Sequence, residues 1–468
     1  MTHSLNSLSA LDANSHLHPY SNLQDVRSEG PLVFVSGQGI RVQDENGKSY
    51  IDSLAGLWCA TLGFSEDRLA DAANRQLRRL PFYHGFFNRV SDVTAKLAVK
   101  LVEVTPETIG KVFLANSGSE ANDTALKLAW YYNNALGRPE KKKIIAREKG
   151  YHGVTIASGS MTQLPINHGS FDLPLGPILK TTCPHHYKFA HPGESEDAFS
   201  TRLAEELEQL ILAENPETIA AFIAEPAMGA GGAVPPPQGY FDKIQPILRQ
   251  YDILLIADEV ITAFGRTGNM FGCDTYGIRP DMMTLAKGLS AGYQPISALG
   301  LSNEIHDAIV EESGRHGVFG HGFTYGGHPV PAAVALEAIR IYESDDIVGH
   351  VRRVGPVFQK TLRALQDHPL VGEARGVGLM GGLDLMADAA SRTPFDPALR
   401  VGQMVHDHSR DMGLLLRYAG DTLLFGPPLI ITEDEIAEFG DILLRALDKT
   451  HSAIEAQRTA ASEDAASS

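Results

Sequence analysis

From residue 64 to residue 300 the chain alternates short, unbroken apolar runs with longer stretches of helical spacing. The runs are Val112-Phe113-Leu114-Ala115, Lys143-Ile144-Ile145-Ala146 and Ile219-Ala220-Ala221-Phe222-Ile223-Ala224, then 251–257, 282–286 and 296–300. Runs without polar alternation predict strands buried on both faces, and the stretches between them, such as 120–136, supply covering helices. This order predicts an α/β fold with a mainly parallel sheet flanked by helices. Pro235-Pro236-Pro237 predicts a rigid loop between two of the units.

The flanks read differently. Val33-Phe34-Val35 and Ile40-Arg41-Val42, joined through Gly37 and Gly39, predict a hairpin, and Asp44-Glu45-Asn46-Gly47 turns it into Tyr50-Ile51-Asp52. After Pro329 an Ala-rich helix over 330–342 precedes an α+β segment containing Val377-Gly378-Leu379-Met380 and Leu414-Leu415-Leu416. Residues 1–28 are polar and rich in His and Ser, and are expected to wrap a neighbour or be loosely held. Residues 460–468 are of low complexity and are expected to be disordered.

Composition narrows the classes. The length of 468 residues allows roughly two to three domains. A net charge of -17, from 57 acidic and 40 basic residues, argues against nucleic acid or an anionic membrane as partner. The one basic run, Lys141-Lys142-Lys143, reads as a solvated entrance to a strand. Three cysteines, Cys59, Cys183 and Cys273, fit reduced thiols in a cytoplasm. The polar N-terminus carries no secretory pattern, and no apolar run is long enough to span a membrane.

Two patterns look chemical but lack context. Gly376-Val377-Gly378-Leu379-Met380-Gly381 fits a dinucleotide fingerprint, yet it leads into an apolar run instead of opening a helix after a strand. His185-His186 near Cys183, and His406 with His408, lack further metal ligands at useful spacing, so no metal is expected and these histidines read as solvated or capping.

The chemistry centres on Asp258 and Lys287. Asp258 ends an apolar run, where an acid is costly unless a cation meets it. Alternation puts Asp258 and Val260 on one face and Glu259 on the other. A second apolar run then delivers Lys287 beside Gly288. This layout suits pyridoxal phosphate (PLP): Lys287 bonds the aldehyde, Asp258 keeps the pyridine nitrogen protonated, and Val260 packs behind the ring. Taken singly, Lys287 also fits a lysine snorkelling from a strand end, and Asp258 a helix cap or salt bridge. Ser117-Gly118-Ser119 opens a helix, whose free N–H groups attract a phosphate, although such a start is often only a cap.

Five ordered motifs carry a family resemblance: Asn116-Ser117-Gly118-Ser119-Glu120-Ala121-Asn122, Gly150-Tyr151-His152-Gly153, Asp258-Glu259-Val260 with Gly265-Arg266-Thr267-Gly268, Ala286-Lys287-Gly288, and Phe323-Thr324-Tyr325-Gly326-Gly327-His328-Pro329. Together, over about residues 30–430, the chain resembles the class III (omega) aminotransferases. The resemblance implies PLP fold type I, with a large PLP-binding domain over 65–329 and a discontinuous small α+β domain from 1–64 and 330–459. It implies that the Ser117 turn holds the PLP phosphate through Gly118 and Ser119, that Thr324 reaches the phosphate of the partner subunit, and that Tyr151 stacks on the cofactor. His152 joins the cofactor pocket without an acid–base role. Trp58, Phe86, Phe87 and Tyr151 are implied at the substrate, the two phenylalanines entering the partner's site. Glu225 is implied near the site mouth, pairing with Arg417, whose guanidinium grips a substrate carboxylate or swings away.

The implied reaction moves an amino group from a primary amine or omega-amino acid to a keto acid, pyruvate above others, in a homodimer or homotetramer with shared active sites. Trp58, Ala60 and Arg417-Tyr418-Ala419-Gly420-Asp421 carry the finer likeness to amine– and omega-amino acid–pyruvate transaminases. Alternatives in the same fold are a 2-oxoglutarate-dependent diamine- or ornithine-type aminotransferase, an aminomutase and a decarboxylase. A nicotinamide oxidoreductase rests only on the Gly376 motif, and a catalytically silent binding protein conflicts with the presence of both Lys287 and Asp258.

Overall fold

The computed structural model describes residues 7–467, with side chains through 459. Strands β1 (Phe34–Gln38), β2 (Arg41–Asp44) and β3 (Ser49–Asp52) form the N-terminal meander. The Asp44–Gly47 turn is closed by Asp44 itself, whose Oδ1 accepts from the backbone N–H of Asn46 and of Lys48, both at 2.9 Å.

The central sheet contains β4 (Lys111–Ala115), β5 (Lys143–Arg147), β6 (Ile178–Thr181), β7 (Ile219–Ala224), β8 (Leu254–Asp258), β9 (Met282–Leu285) and β10 (Ser297–Leu301), in the order β4-β10-β9-β8-β7-β5-β6. Every residue of β7, β8, β9 and β10 is buried, as unbroken apolar runs require. The β9-β8-β7-β5-β6 portion is parallel, whereas β10 runs antiparallel to both β4 and β9. The reason is length: residues 286–296 are too few for the helical crossover a parallel return needs. Edge strand β6 carries the mixed sequence Ile178-Leu179-Lys180-Thr181, which gives no unbroken apolar run to read.

Helix Gly118–Ala135 follows β4, and helix Pro329–Ser344 starts with Pro at its first position, where the missing N–H costs nothing. The C-terminal sheet orders β11 (Val371–Val377), β12 (Met380–Leu385), β15 (Thr422–Phe425) and β14 (Arg417–Ala419). The Gly376 motif is the turn of the β11–β12 hairpin: Gly378 has φ +56°, and a Cβ there would lie 2.3 Å from the carbonyl oxygen of Arg266. It therefore opens no helix. Strand β13 (Leu414–Leu415) pairs in parallel with β3, so backbone hydrogen bonds join the two ends of the chain.

Three expectations need correction. Residues 7–29 contain helices Leu8–Ser15 and Leu23–Glu29 instead of loose chain; residues 1–6 lie outside the described residues. The stretch 460–468 expected to be disordered continues the helix Glu433–Ser467, with Ser468 outside the described residues. Lys141 is buried, not solvated: its ammonium donates to the carbonyls of Tyr251 (3.1 Å) and Asp252 (2.8 Å), just past helix Tyr240–Gln250, where a cation meets the negative helix end.

Candidate active site

Asp258 sits at the C-terminal end of β8, and the register places it opposite Thr284 of β9. Three residues beyond Thr284 comes Lys287, so the sheet brings the two side chains to the same rim. Both line one cavity of about 850 Å³, with Gly118, Ser119, Asn122, Tyr151, His152, Glu225 and Val260. The ends of parallel strands are where ligands bind in open α/β sheets.

Asp258 is buried, yet each oxygen is used. Its Oδ2 accepts from Asn122 Nδ2 (2.8 Å) and meets His152 Nδ1 (2.8 Å), while Oδ1 accepts from the Val260 N–H (3.2 Å). Burial pushes the carboxyl up, but His152, Asn122 and the Val260 amide outweigh it and hold the group below the usual aspartate value. His152 is itself pinned, its N–H donating to Thr162 Oγ1 at 2.8 Å and its carbonyl accepting from Asn122 at 2.7 Å. Asn122 therefore clamps both partners, a role its place in the motif did not disclose; its only signal is a polar residue four beyond Gly118 on the same helix face. Glu259 does point away: fully buried, it accepts from the N–H groups of Gly272 (3.0 Å) and Cys273 (2.6 Å).

Lys287 has φ +45°, a left-handed conformation that is costly for a side-chain-bearing residue and persists where packing fixes it. Its amine makes no hydrogen bond among the described residues, and burial lowers its proton affinity despite nearby Cys59, Asp258 and Glu225. The neutral, nucleophilic form is thereby favoured.

At the start of helix Gly118–Ala135, Ser117 Oγ accepts from the Glu120 N–H at 3.2 Å, so Ser117 is a cap. Gly118 and Ser119 face the cavity, and a Cβ on Gly118 would stand 3.2 Å from both methyls of Val260. Ser119 Oγ accepts from the Val154 N–H at 3.1 Å.

The opposite wall is looser. Trp58 lines the cavity and is also core: it is buried, packs with Leu54 and Ile261, and lies over the Arg266 guanidinium at 5.7 Å. Glu225 is buried instead of at the mouth, and its oxygens accept from the N–H groups of Tyr151 (3.1 Å) and Gly229 (2.7 Å). Arg417, at the start of β14, faces the cavity with no carboxylate partner among the described residues, so the Glu225–Arg417 pair is absent. Tyr20 was not expected here: it lines the cavity, its hydroxyl accepts from Asn167 Nδ2 (2.5 Å), and it contacts the Tyr151 hydroxyl. Its signal was one aromatic in an otherwise polar segment.

Phe86, Phe87 and Thr324 do not line this cavity. All three are exposed, Phe87 at 83 %. They cluster around the 320s loop, since a Cβ on Gly322 would meet Phe86 at 2.8 Å. Two of the histidines expected to be solvated or capping are neither. His406 lines the cavity against Tyr418, and His185 is buried against Glu373 at 2.7 Å. The sites near His185 are already filled by protein cations: Arg375 binds Glu373 (2.6 Å) and Asp384 (2.8 Å), and Lys188 binds Asp384 (2.8 Å).

These residues fit PLP. An ionised carboxylate held by two fixed partners suits a pyridinium nitrogen, and a helix start with a glycine against Val260 leaves room for a ring and a phosphate. The Lys287 amine, without a hydrogen bond among the described residues, would fit as its covalent anchor.

Comparison with known proteins agrees. The family model for aminotransferase class-III matches residues 24–447. The chain is 53 % identical over 421 residues to gamma-aminobutyrate transaminase 1, mitochondrial, of Oryza sativa subsp. indica, covering 90 % of this chain and 82 % of that protein. It is 52 % identical over 426 residues to the mitochondrial gamma-aminobutyrate transaminase 1 of Solanum lycopersicum, covering 91 % and 83 %. The structure is similar to the omega transaminase from Pseudomonas jessenii in complex with PMP, with TM-score 0.94 and 50 % identity over 95 % of this chain and 98 % of that one. A thermostable omega transaminase carrying W58M/F86L/R417L, engineered for asymmetric synthesis of enantiopure bulky amines, also superposes with TM-score 0.94 and 50 % identity, covering 95 % and 99 %.

Proposed function

This chain belongs to the class-III aminotransferases and is a PLP-dependent transaminase, and from that premise we propose that it moves an amino group from a primary amine or omega-amino acid to pyruvate. The observation that carries the reading is the pairing of walls in one cavity: an over-determined carboxylate on one side with an amine, and a guanidinium on the other, the last two without partners among the described residues. When bound, PLP supplies the aldehyde that exchanges the amino group and an electron-withdrawing ring.

The chain's own residues do the rest. Asp258, held by Asn122 and His152, would keep the proton on a bound ring nitrogen. Lys287 Nζ would take the proton from the carbon that bears the substrate amine and hold it for return. The N–H groups of Gly118 and Ser119 would hold the phosphate, and Val260 and Tyr151 would enclose the ring. Arg417 binds the keto acid carboxylate with two parallel hydrogen bonds, and withdraws when the substrate is a simple amine. Trp58 and Tyr20 exclude water from the apolar end of the donor.

Phe86, Phe87 and Thr324 are assigned to the partner subunit's site, which makes the protein a homodimer or larger. Supporting this is an exposed aromatic cluster that includes Phe82, Tyr83, Phe86, Phe87 and Tyr325. No helix among the described residues is long and apolar enough to cross a membrane. The cytoplasmic assignment rests on the unpaired cysteines, while the plant relatives are mitochondrial by name.

A panel on the purified holoenzyme tests the reading. A monoamine and gamma-aminobutyrate are each supplied with pyruvate or 2-oxoglutarate. Stoichiometric alanine from pyruvate is the expected result; faster glutamate formation from 2-oxoglutarate overturns the choice of acceptor, and donor turnover without amino transfer overturns the transaminase itself.

A further inference from the structure

Tyr20 reaches the cavity from a segment whose preceding residues have no role in the reaction. We propose that Asp12, His16 and His18 form a zinc-type divalent metal site that fixes the turn leading into Tyr20. Among the described residues, one ligand atom from each of the three lies within 4.8 Å of the others. The local fold explains why. Asp12 lies on the last turn of helix Leu8–Ser15 and His16, four residues on, is its C-cap, whose N–H donates to the Asp12 carbonyl at 2.9 Å. His16 then turns extended, with φ -118° and ψ 130°, and the chain carries His18 back to the second Asp12 oxygen.

The donor chemistry fits. His16 Nδ1 stands 3.2 Å from Asp12 Oδ1, and His18 Nε2 contacts Asp12 Oδ2. Two imidazoles and a carboxylate, with remaining positions open to water, are a set that suits Zn²⁺. A metal-binding imidazole carries its proton on the opposite ring nitrogen, leaving one lone pair on each ring for the metal. A divalent ion here adds two positive charges to a chain of net charge -17.

The other group of potential ligands, His185, Glu373 and Asp384, makes a useful contrast. There Arg375 and Lys188 already occupy the cation's place. No Lys or Arg among the described residues bonds Asp12.

The consequence lies two residues on. His18 is followed by Pro19, which limits backbone freedom, and then by Tyr20, bonded to Asn167 and in contact with Tyr151. A metal that fixes His18 against helix Leu8–Ser15 therefore limits how far Tyr20 can move. Bulky donors, which need that movement, feel the metal; small ones do not.

The test is calorimetric titration of ZnCl₂ into chelator-free holoenzyme, with His16→Asn and His18→Asn as comparisons. His16 has a side chain 57 % exposed, so its replacement leaves packing intact. We expect one zinc per chain in the wild type and affinity weaker by at least about tenfold in each variant, the loss that even an outer partner of a metal ligand causes. Zinc should raise KM for a bulky amine by about twofold or more in the wild type alone, with the gamma-aminobutyrate KM unmoved. Equal zinc affinity in all three proteins, no binding in the wild type, or a KM effect that persists in His16→Asn overturns the proposal.

Discussion

The two walls of the cavity are built on opposite plans. On the Asp258 wall, Asn122, His152 and the Val260 amide all converge on one carboxylate, and His152 is tied down in turn by Thr162. On the Arg417 wall the guanidinium has no acid partner among the described residues, and Tyr20 is held by one amide of Asn167 and its contact with Tyr151. Preorganisation is spent where the chemistry is the same for every substrate. Freedom is left where a carboxylate and a plain amine must alternate in the same space.

Substitutions that break the rigid wall should cost most. Lys287→Ala removes the amine that moves the proton, and single-turnover transfer should fall by about 10³-fold or more. Asp258→Asn keeps the shape and loses the charge, lowering kcat by about 10²–10³-fold, with KM for the amine little changed.

Breaking the support instead of the carboxylate gives a pH signature. Asp258 has its folded-state affinity for protons lowered, so it adds stability that is present above the unfolded aspartate value and is lost as pH falls through the folded one. In His152→Ala burial is less opposed, so this contribution should fade at higher pH than in the wild type. Thermal melts from pH 6 down to about 3 check this, with about 1–3 kcal/mol lost at neutral pH.

The looser wall should give smaller, selective effects. Arg417→Leu should raise KM for pyruvate by about 10–100-fold, the worth of a charge-assisted pair, while monoamine KM stays within about twofold. Equal loss for both substrates would show that Arg417 acts through the fold. Tyr20→Phe removes the hydroxyl that meets Asn167 and Tyr151 and should change donor KM by about fivefold at most.

Much of the rigid wall was legible because it sits on unbroken patterns. The run 251–257 in front of Asp258 predicts β8, the run 282–286 predicts β9, and the alternation argument separates Asp258 from Glu259, although the strand stops at Asp258 and the turn finishes the separation. The role of Asn122 is not legible in its motif, because a polar residue inside a helix gives no sign of its partner until His152 and Asp258 are beside it. The looser wall was harder. Glu225 was placed at the mouth, whereas strand β7 delivers it to a buried position where Tyr151 and Gly229 use both oxygens. Tyr20 stands in a segment without hydrophobic period, so nothing local marked it. Strand β10 was found, but its direction follows from how short the link from β9 is.

By itself the sequence determined most strands of the central sheet, the order of the motifs and the identity of the groups able to do the chemistry, because side-chain type and spacing are local properties. Which of those groups touch was decided by the tertiary structure alone. The parallel register sets Asp258 beside the rim that carries Lys287, and long-range contacts brought Asn122, His152 and Tyr20 to the same cavity. Contacts between residues more than a hundred positions apart depend on how the layers pack, and no local pattern encodes that.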